Sequence, residues 1–183
     1  MSKDIKSPAN TTEVQQDLDI GNNIYAKSYK GQHLPTAPGR HYCVVTCMDS
    51  RIDVFPAFGM HLGDAHVIRN AGGSARDALR SIVISQQYLN TKEVILIKHT
   101  RCGLEMFTDP EADAMLEERR GKQALETVRQ AGSGHWHAFG NQKVDEATRE
   151  DVDFLKSSGC LVDGTEVSGW VFDVEKGRVK RVA

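Results

Sequence analysis

Two short segments carry the residue types that bind a transition metal. Cys47-Met48-Asp49-Ser50-Arg51 and His99-Thr100-Arg101-Cys102-Gly103 offer thiols and an imidazole. Zinc takes such ligands in a tetrahedron, and a catalytic zinc uses three protein ligands with the fourth position left for water. Cys47, His99 and Cys102 supply three. Alone, each segment is weak evidence, since free cysteine often packs as a small hydrophobe and a single histidine often sits satisfied in a core. Their placement along the chain joins them. His41–Thr46 reads as a strand, and Glu93-Val94-Ile95-Leu96-Ile97 has the continuous apolar character of a strand buried on both faces. Each chemical segment therefore begins where a strand ends, and in an open parallel sheet the crevice beyond the strand C-termini is where ligands bind. The His-x-x-Cys spacing, at the entrance to a helix, turns both side chains to one centre, and the helix dipole favours the thiolate of Cys102.

The elements that must position these residues follow from pattern. A strand over His66–Ile68 comes after the Gly63-Asp64 turn. A helix over Asp77–Asn90 places Leu79, Ile82, Val83, Gln86 and Leu89 at helical spacing. Strand, helix, strand in that order implies a right-handed crossover in a parallel sheet. The fold class is α/β: a small, mainly parallel sheet flanked by helices. Beyond Cys102 the chain reads as helical and highly charged through Arg129, turns at Gly132-Ser133-Gly134, and resumes a helix over Asp145–Ser157. Val167–Asp173 and Arg178–Val182 flank Glu175-Lys176-Gly177 and form a C-terminal strand or hairpin. At the other end, Thr12–Tyr29 is a weakly amphipathic helix, broken or bent near Gly21, and Gly31–Arg40 with its prolines is a linker. Residues 1–40 are thus expected as a helix and linker arm, and 41–183 as the zinc-bearing α/β domain.

Bulk properties remove several function classes. The 23 basic and 25 acidic residues give a net charge of −2, so there is no cationic surplus to neutralise a phosphate backbone, and nucleic acid is not an expected partner. No apolar run approaches the roughly 20 residues that span a bilayer, and MSKDIKSPAN lacks the apolar core of a secretory signal, so a cytoplasmic, membrane-free protein is expected. Four cysteines in that setting read as free thiols or ligands, not as a disulfide framework.

Cys-Met-Asp-Ser-Arg at 47–51, then Gly63-Asp64-Ala65-His66-Val67-Ile68-Arg69-Asn70-Ala71-Gly72, then His-x-x-Cys-Gly at 99–103, resemble the β-class carbonic anhydrases. The tail Val167-Ser168-Gly169-Trp170-Val171-Phe172-Asp173 with Gly177-Arg178-Val179 is similar to that family's last strands. About Met106 to Gly140 has no clear counterpart, and the whole looks closer to the short, archaeal-type members than to the plant type. The resemblance implies reversible hydration of carbon dioxide to bicarbonate by zinc-bound hydroxide, Zn2+ as the cofactor, and a homodimer or homotetramer with its site at the dimer interface. It also assigns roles to Asp49 and Arg51. Two thiolates cancel the charge of zinc, so the bound water is acidified less than at an all-imidazole site. Asp49 would accept a hydrogen bond from that water and orient it, while Arg51 holds the carboxylate in a bidentate pair and keeps it off the metal. When the pair breaks, Asp49 becomes a fourth ligand and closes the site.

Other readings stay open at this point. Relatives of this family hydrolyse carbonyl sulfide or carbon disulfide with the same metal set, and Arg101 and His61 depart from the family pattern in ways that bear on the pocket. A non-catalytic zinc-stabilised binding protein would need Cys43 or Cys160 as a closing fourth ligand. Cys43 shares strand parity with Cys47 and is expected to face the core. Cys160 reads as a packed or exposed thiol, and His135-Trp136-His137 as a loop or interface anchor. A cysteine-dependent phosphatase is excluded because Cys47 and Arg51 are too close in sequence. Asn70-Ala71-Gly72-Gly73 is not a phosphate loop, and its glycines let the backbone turn close to the site.

Overall fold

The computed structural model of the chain describes residues 11–132, 134–140 and 142–183. The leader-free reading of Met1–Asn10 and the middle residue of the Gly132–Gly134 turn lie outside these. The chain divides into two compact units, the first ending at Leu34 and the second running Pro35–Ala183.

In the first unit, α1 (Glu13–Ala26) starts at a capping box in which Thr12 and Gln15 exchange hydrogen bonds. It runs unbroken through Gly21, where a break had been expected. None of its residues is buried, so its apolar groups, Val14, Leu18 and Ile24 among them, face outward.

The second unit is built on a five-stranded sheet ordered β2-β1-β3-β4-β5. These are β1 (Tyr42–Cys47), β2 (Ala65–Asn70), β3 (Glu93–His99), β4 (Glu166–Asp173) and β5 (Arg178–Arg181). The first four are parallel, and β5 pairs antiparallel with β4, so the C-terminal element is a hairpin. All six residues of β1 are buried, as befits a central strand covered on both faces. All four residues of β5 are exposed at the sheet edge.

One face is packed by α3 (Ala75–Gln87) and α6 (Val144–Ser157). Ala75, Ala78 and Ile82 of α3 recur at helical spacing and meet Val152 and Leu155 of α6 over Cys43, Val45, Val94 and Leu96. Ile82 has no solvent exposure, so truncating it to alanine would cost about 2–5 kcal/mol. The helix begins earlier than expected because Ser74, not a later residue, is its N-cap and accepts the Asp77 backbone N–H at 3.3 Å. The opposite face holds Tyr42, Val44, Ile97 and Phe172 under Ile52, Val54 and Met60. Val54 belongs to a one-turn helix, α2 (Val54–Ala57), too short to leave a periodic signal. This face is less fully covered, and Tyr42, Ile95, Trp170 and Val179 line an apolar hollow.

The charged stretch after Cys102 is two helices, α4 (Asp109–Arg120) and α5 (Lys122–Ala131). They part at Gly121, whose φ of 83° is left-handed and ends a helix with little strain. Among the described residues, no helix is long and apolar enough to cross a membrane.

Candidate metal centre

β1 and β3 are neighbours in parallel register, so their C-terminal residues arrive side by side. Cys47 ends β1, His99 ends β3, and Cys102 follows three residues on. All three are buried, with their donor atoms within 4.8 Å of one another. The two sulfurs are 4.0 Å apart, close to the roughly 3.8 Å that a tetrahedron with bonds of about 2.3 Å imposes on two thiolates.

The imidazole is set up to complete the triangle. Nδ1 of His99 lies 3.0 Å from the Thr100 carbonyl oxygen, which makes Nδ1 the protonated nitrogen and leaves a lone pair on Nε2. Nε2 is fully buried and has no hydrogen-bond partner among the described residues. A buried nitrogen without a partner costs free energy unless something else binds it. Its neighbours, two thiols and a carboxylate, are the donor set that a zinc ion satisfies. The residues present fit a bound zinc.

The thiols titrate as a pair. The hydrogen bond from Cys102, aided by the nearby imidazole and the Asp49 backbone N–H, outweighs burial and holds the Cys47 thiol well below its ordinary value. Cys102, facing that thiolate and itself buried, is pushed up. No α-helix begins at Cys102, contrary to expectation. A single 3-10 turn, Gly103–Glu105, follows, and α4 starts only at Asp109. A macrodipole is therefore absent there, and the Leu104 backbone N–H beside the sulfur is the local group that favours its thiolate.

Asp49 and Arg51 adopt the expected fork. Nε and Nη2 of Arg51 donate to Oδ1 and Oδ2 of Asp49 at 2.9 and 2.7 Å. The Arg51 backbone N–H adds a third bond, to Oδ1 at 2.9 Å. These bonds hold the Asp49 carboxyl well below the usual carboxylate range. Oδ2 of Asp49 is 3.8 Å from Nε2 of His99, so the carboxylate borders the donor triangle.

The other sequence candidates lie apart. Cys43 is wholly buried, but in the cluster under α3 and α6, whereas Cys47 belongs to the opposite cluster. The shared parity fails at Cys47, the last residue of β1, which packs with Tyr42 and Val44 although it still pairs with Asn70 of β2. Burial pushes the Cys43 thiol up to about 12. Cys160 is exposed, beyond the end of α6. Among the described residues no cysteine but Cys47 and Cys102 joins the donor group, which removes the closed four-ligand reading built on Cys43 or Cys160. His61 is exposed and pairs with Asp64. Arg101 is left-handed at φ 56°, and its side chain reaches Glu175 at 2.6 Å. The His135-Trp136-His137 loop is an anchor: Asp109 accepts the backbone N–H groups of Trp136 and Ala138, and Asp113 accepts the indole N–H.

Sequence reasoning passed over two residues. Arg69 donates to the carbonyl oxygens of Cys47 and Asp49, at 3.0 and 2.7 Å, and so shapes the loop after β1. Lys98, next to His99, is buried in an ion pair with Asp151 at 2.8 Å. Its lone charge at the end of an apolar run was the available signal.

A sequence model of the carbonic anhydrase family matches residues 42–179. The β-carbonic anhydrase 1 of Mycobacterium tuberculosis is 35% identical over 165 residues, covering 89% of this chain and 94% of that protein. A carbon disulfide hydrolase of Acidithiobacillus thiooxidans is 31% identical over 153 residues, covering 77% and 76%. The solved carbonic anhydrase from Glaciozyma antarctica superimposes with a TM-score of 0.84 at 39% identity, covering 94% of this chain and all of that one. With a family model spanning most of the chain and a β-carbonic anhydrase more than 30% identical over nearly its whole length, this chain belongs to the β-carbonic anhydrase family.

Proposed function

We propose that the protein is a zinc lyase that hydrates carbon dioxide reversibly to bicarbonate, with Cys47, His99 and Cys102 as the metal ligands. The observation that carries this reading is the unpartnered Nε2 of His99, enclosed by two thiol sulfurs and bordered by a carboxylate that is itself pinned. Bound there, zinc would supply a Lewis acid that activates water as a nucleophile at neutral pH. The chain's own residues do the rest. Asp49, its negative charge secured by Arg51, accepts a hydrogen bond from the attacking water and points the oxygen lone pair at the carbon of the substrate. Arg51 holds both carboxylate oxygens, which keeps Asp49 from serving as a fourth ligand. The proton released passes to bulk buffer.

A second substrate reading is supported by the carbon disulfide hydrolase relative. Carbon disulfide and carbonyl sulfide present the same linear, electrophilic carbon to the same donor set. Turnover of carbon dioxide, carbonyl sulfide and carbon disulfide, measured side by side on protein of known zinc content, separates the two. Zinc-loaded protein inert toward all three would sink both.

For assembly we infer a homodimer or a dimer of dimers. Met48, beside Cys47, and Phe55 and Leu62 close by in sequence are exposed apolar side chains, and one face of the sheet carries the apolar hollow. Light scattering on the purified protein tests this, and a monomer at micromolar concentration would refute it. Four free cysteines suit a reducing compartment, the cytoplasm.

A further inference from the structure

Lys98 precedes the histidine of the donor triangle on β3, and strand alternation sends its side chain to the opposite face of the sheet. There it is 4% exposed. A buried ammonium is expensive unless all its protons are engaged. Here Nζ meets Oδ2 of Asp151 at 2.8 Å and the carbonyl oxygens of Gly72 and Gly73 at 3.1 and 3.3 Å, with the Phe139 ring centroid 5.4 Å away. Asp151, on α6, also accepts the backbone N–H of Ala75, the first residue of α3. Three elements therefore converge on one cation.

The two carbonyls it holds belong to a turn that touches the donor triangle. Gly72 and Gly73 are left-handed, at φ 69° and 60°. A Cβ on Gly73 would come within 3.1 Å of the backbone nitrogen of Cys47 and of the Thr46 carbonyl carbon, and 3.3 Å from the Ile97 oxygen. The turn thus lies wedged against the end of β1 that bears Cys47 and the end of β3 that bears His99. On its far side it is stitched to the same loop, since the Met48 backbone N–H donates to the Asn70 carbonyl at 2.9 Å.

We propose that Lys98 is a positioning residue of the metal centre: its ammonium, braced by Asp151, clamps the Gly72 and Gly73 carbonyls and so fixes the separation between Cys47 on one strand and His99 with Cys102 on the next. The inference rests on the three-ligand centre proposed above. It explains why a strand otherwise apolar at its centre carries a buried charge, where an aliphatic residue would pack at lower cost. A merely structural ion pair would be replaceable by neutral groups without consequence for the metal.

The test is Lys98→Met/Asp151→Asn, which removes both charges together and leaves neither unpaired. Zinc affinity is measured by competition with a chromogenic chelator, and coordination geometry by the absorption spectrum of the cobalt-substituted protein. The double variant is expected to remain folded by circular dichroism, to bind zinc about 10–100-fold more weakly, and to show a displaced thiolate-to-cobalt band. Wild-type affinity with an unchanged cobalt spectrum would overturn the proposal. Should the double variant fail to fold, Asp151→Asn alone decides. Its amide oxygen still accepts from Ala75, and a fall in zinc affinity of at least about threefold is expected, whereas unchanged affinity and spectrum would overturn the idea. A wild-type protein that binds zinc but leaves carbon dioxide untouched would refute the reaction and not the positioning role.

Discussion

Nη2 of Arg51 donates both to the Asp49 carboxylate, at 2.7 Å, and to the carbonyl oxygen of Arg101, at 2.9 Å. One guanidinium therefore ties the loop after β1 to the loop after β3 while it holds the carboxylate beside the donor triangle. A point charge cannot make these planar, simultaneous bonds. Arg51→Lys is expected to lower kcat/KM for hydration by about tenfold and Arg51→Ala by about 100-fold, both with zinc retained. Stopped-flow hydration with a pH indicator reads the rates. Unchanged rates in Arg51→Ala would remove this residue from the mechanism.

Asp49→Asn separates orientation from binding. The three ligands stay in place, so zinc content by elemental analysis should remain near one per chain. Turnover should fall by about 100-fold or more, because the amide lacks the charge that secures the attacking water. Full turnover in this variant would show that Asp49 takes no part.

Cys47→Ser, His99→Ala and Cys102→Ser are each expected to lose zinc and activity together, since every one removes a donor from a buried group of three. Elemental analysis after dialysis checks this. Full zinc occupancy in a variant lacking two of the three would exclude the assigned ligand set.

Cys43 links burial to alkaline stability. Its thiol titrates at an ordinary 9.0 in the unfolded chain and at about 12 in the folded one. Between those values the unfolded chain has released the proton and the folded chain keeps it. The folded state then binds more protons, so stability falls as pH rises, by about 1.4 kcal/mol per pH unit from this group. Below pH 9 the effect vanishes. Urea melts at pH 8 and pH 10 should show a smaller drop for Cys43→Val than for wild type, and equal drops would contradict it.

The chemical residues were legible because strand ends are legible. A buried apolar run that stops at Cys47 or His99 announces both the element and the place where its last side chain emerges. The Asp49–Arg51 fork was legible because it is local, two residues apart. Lys98 and Arg69 were not, since their meaning lies in partners that are distant in sequence: Asp151 on α6 for one, and the carbonyls after β1 for the other. Cys43 lies in the core, as expected, and what strand alternation does not show is that Cys47, the last residue of β1, packs with Tyr42 and Val44 and not with Cys43 and Val45. The stretch after Cys102 misled, because charge and helical spacing cannot show that a single 3-10 turn and the Met106–Thr108 connection precede α4.

The hairpin that closes the sheet bears on how the protein behaves when crowded. An edge strand presents unsatisfied backbone groups that invite another strand to pair with it. Arg178, Lys180 and Arg181 place three cations on the exposed four-residue β5, and among the described residues only Lys180 pairs with a carboxylate, that of Asp145 at 2.7 Å. A second copy approaching that edge in register would bring like charges face to face. The sheet is guarded on this side against runaway strand-to-strand growth.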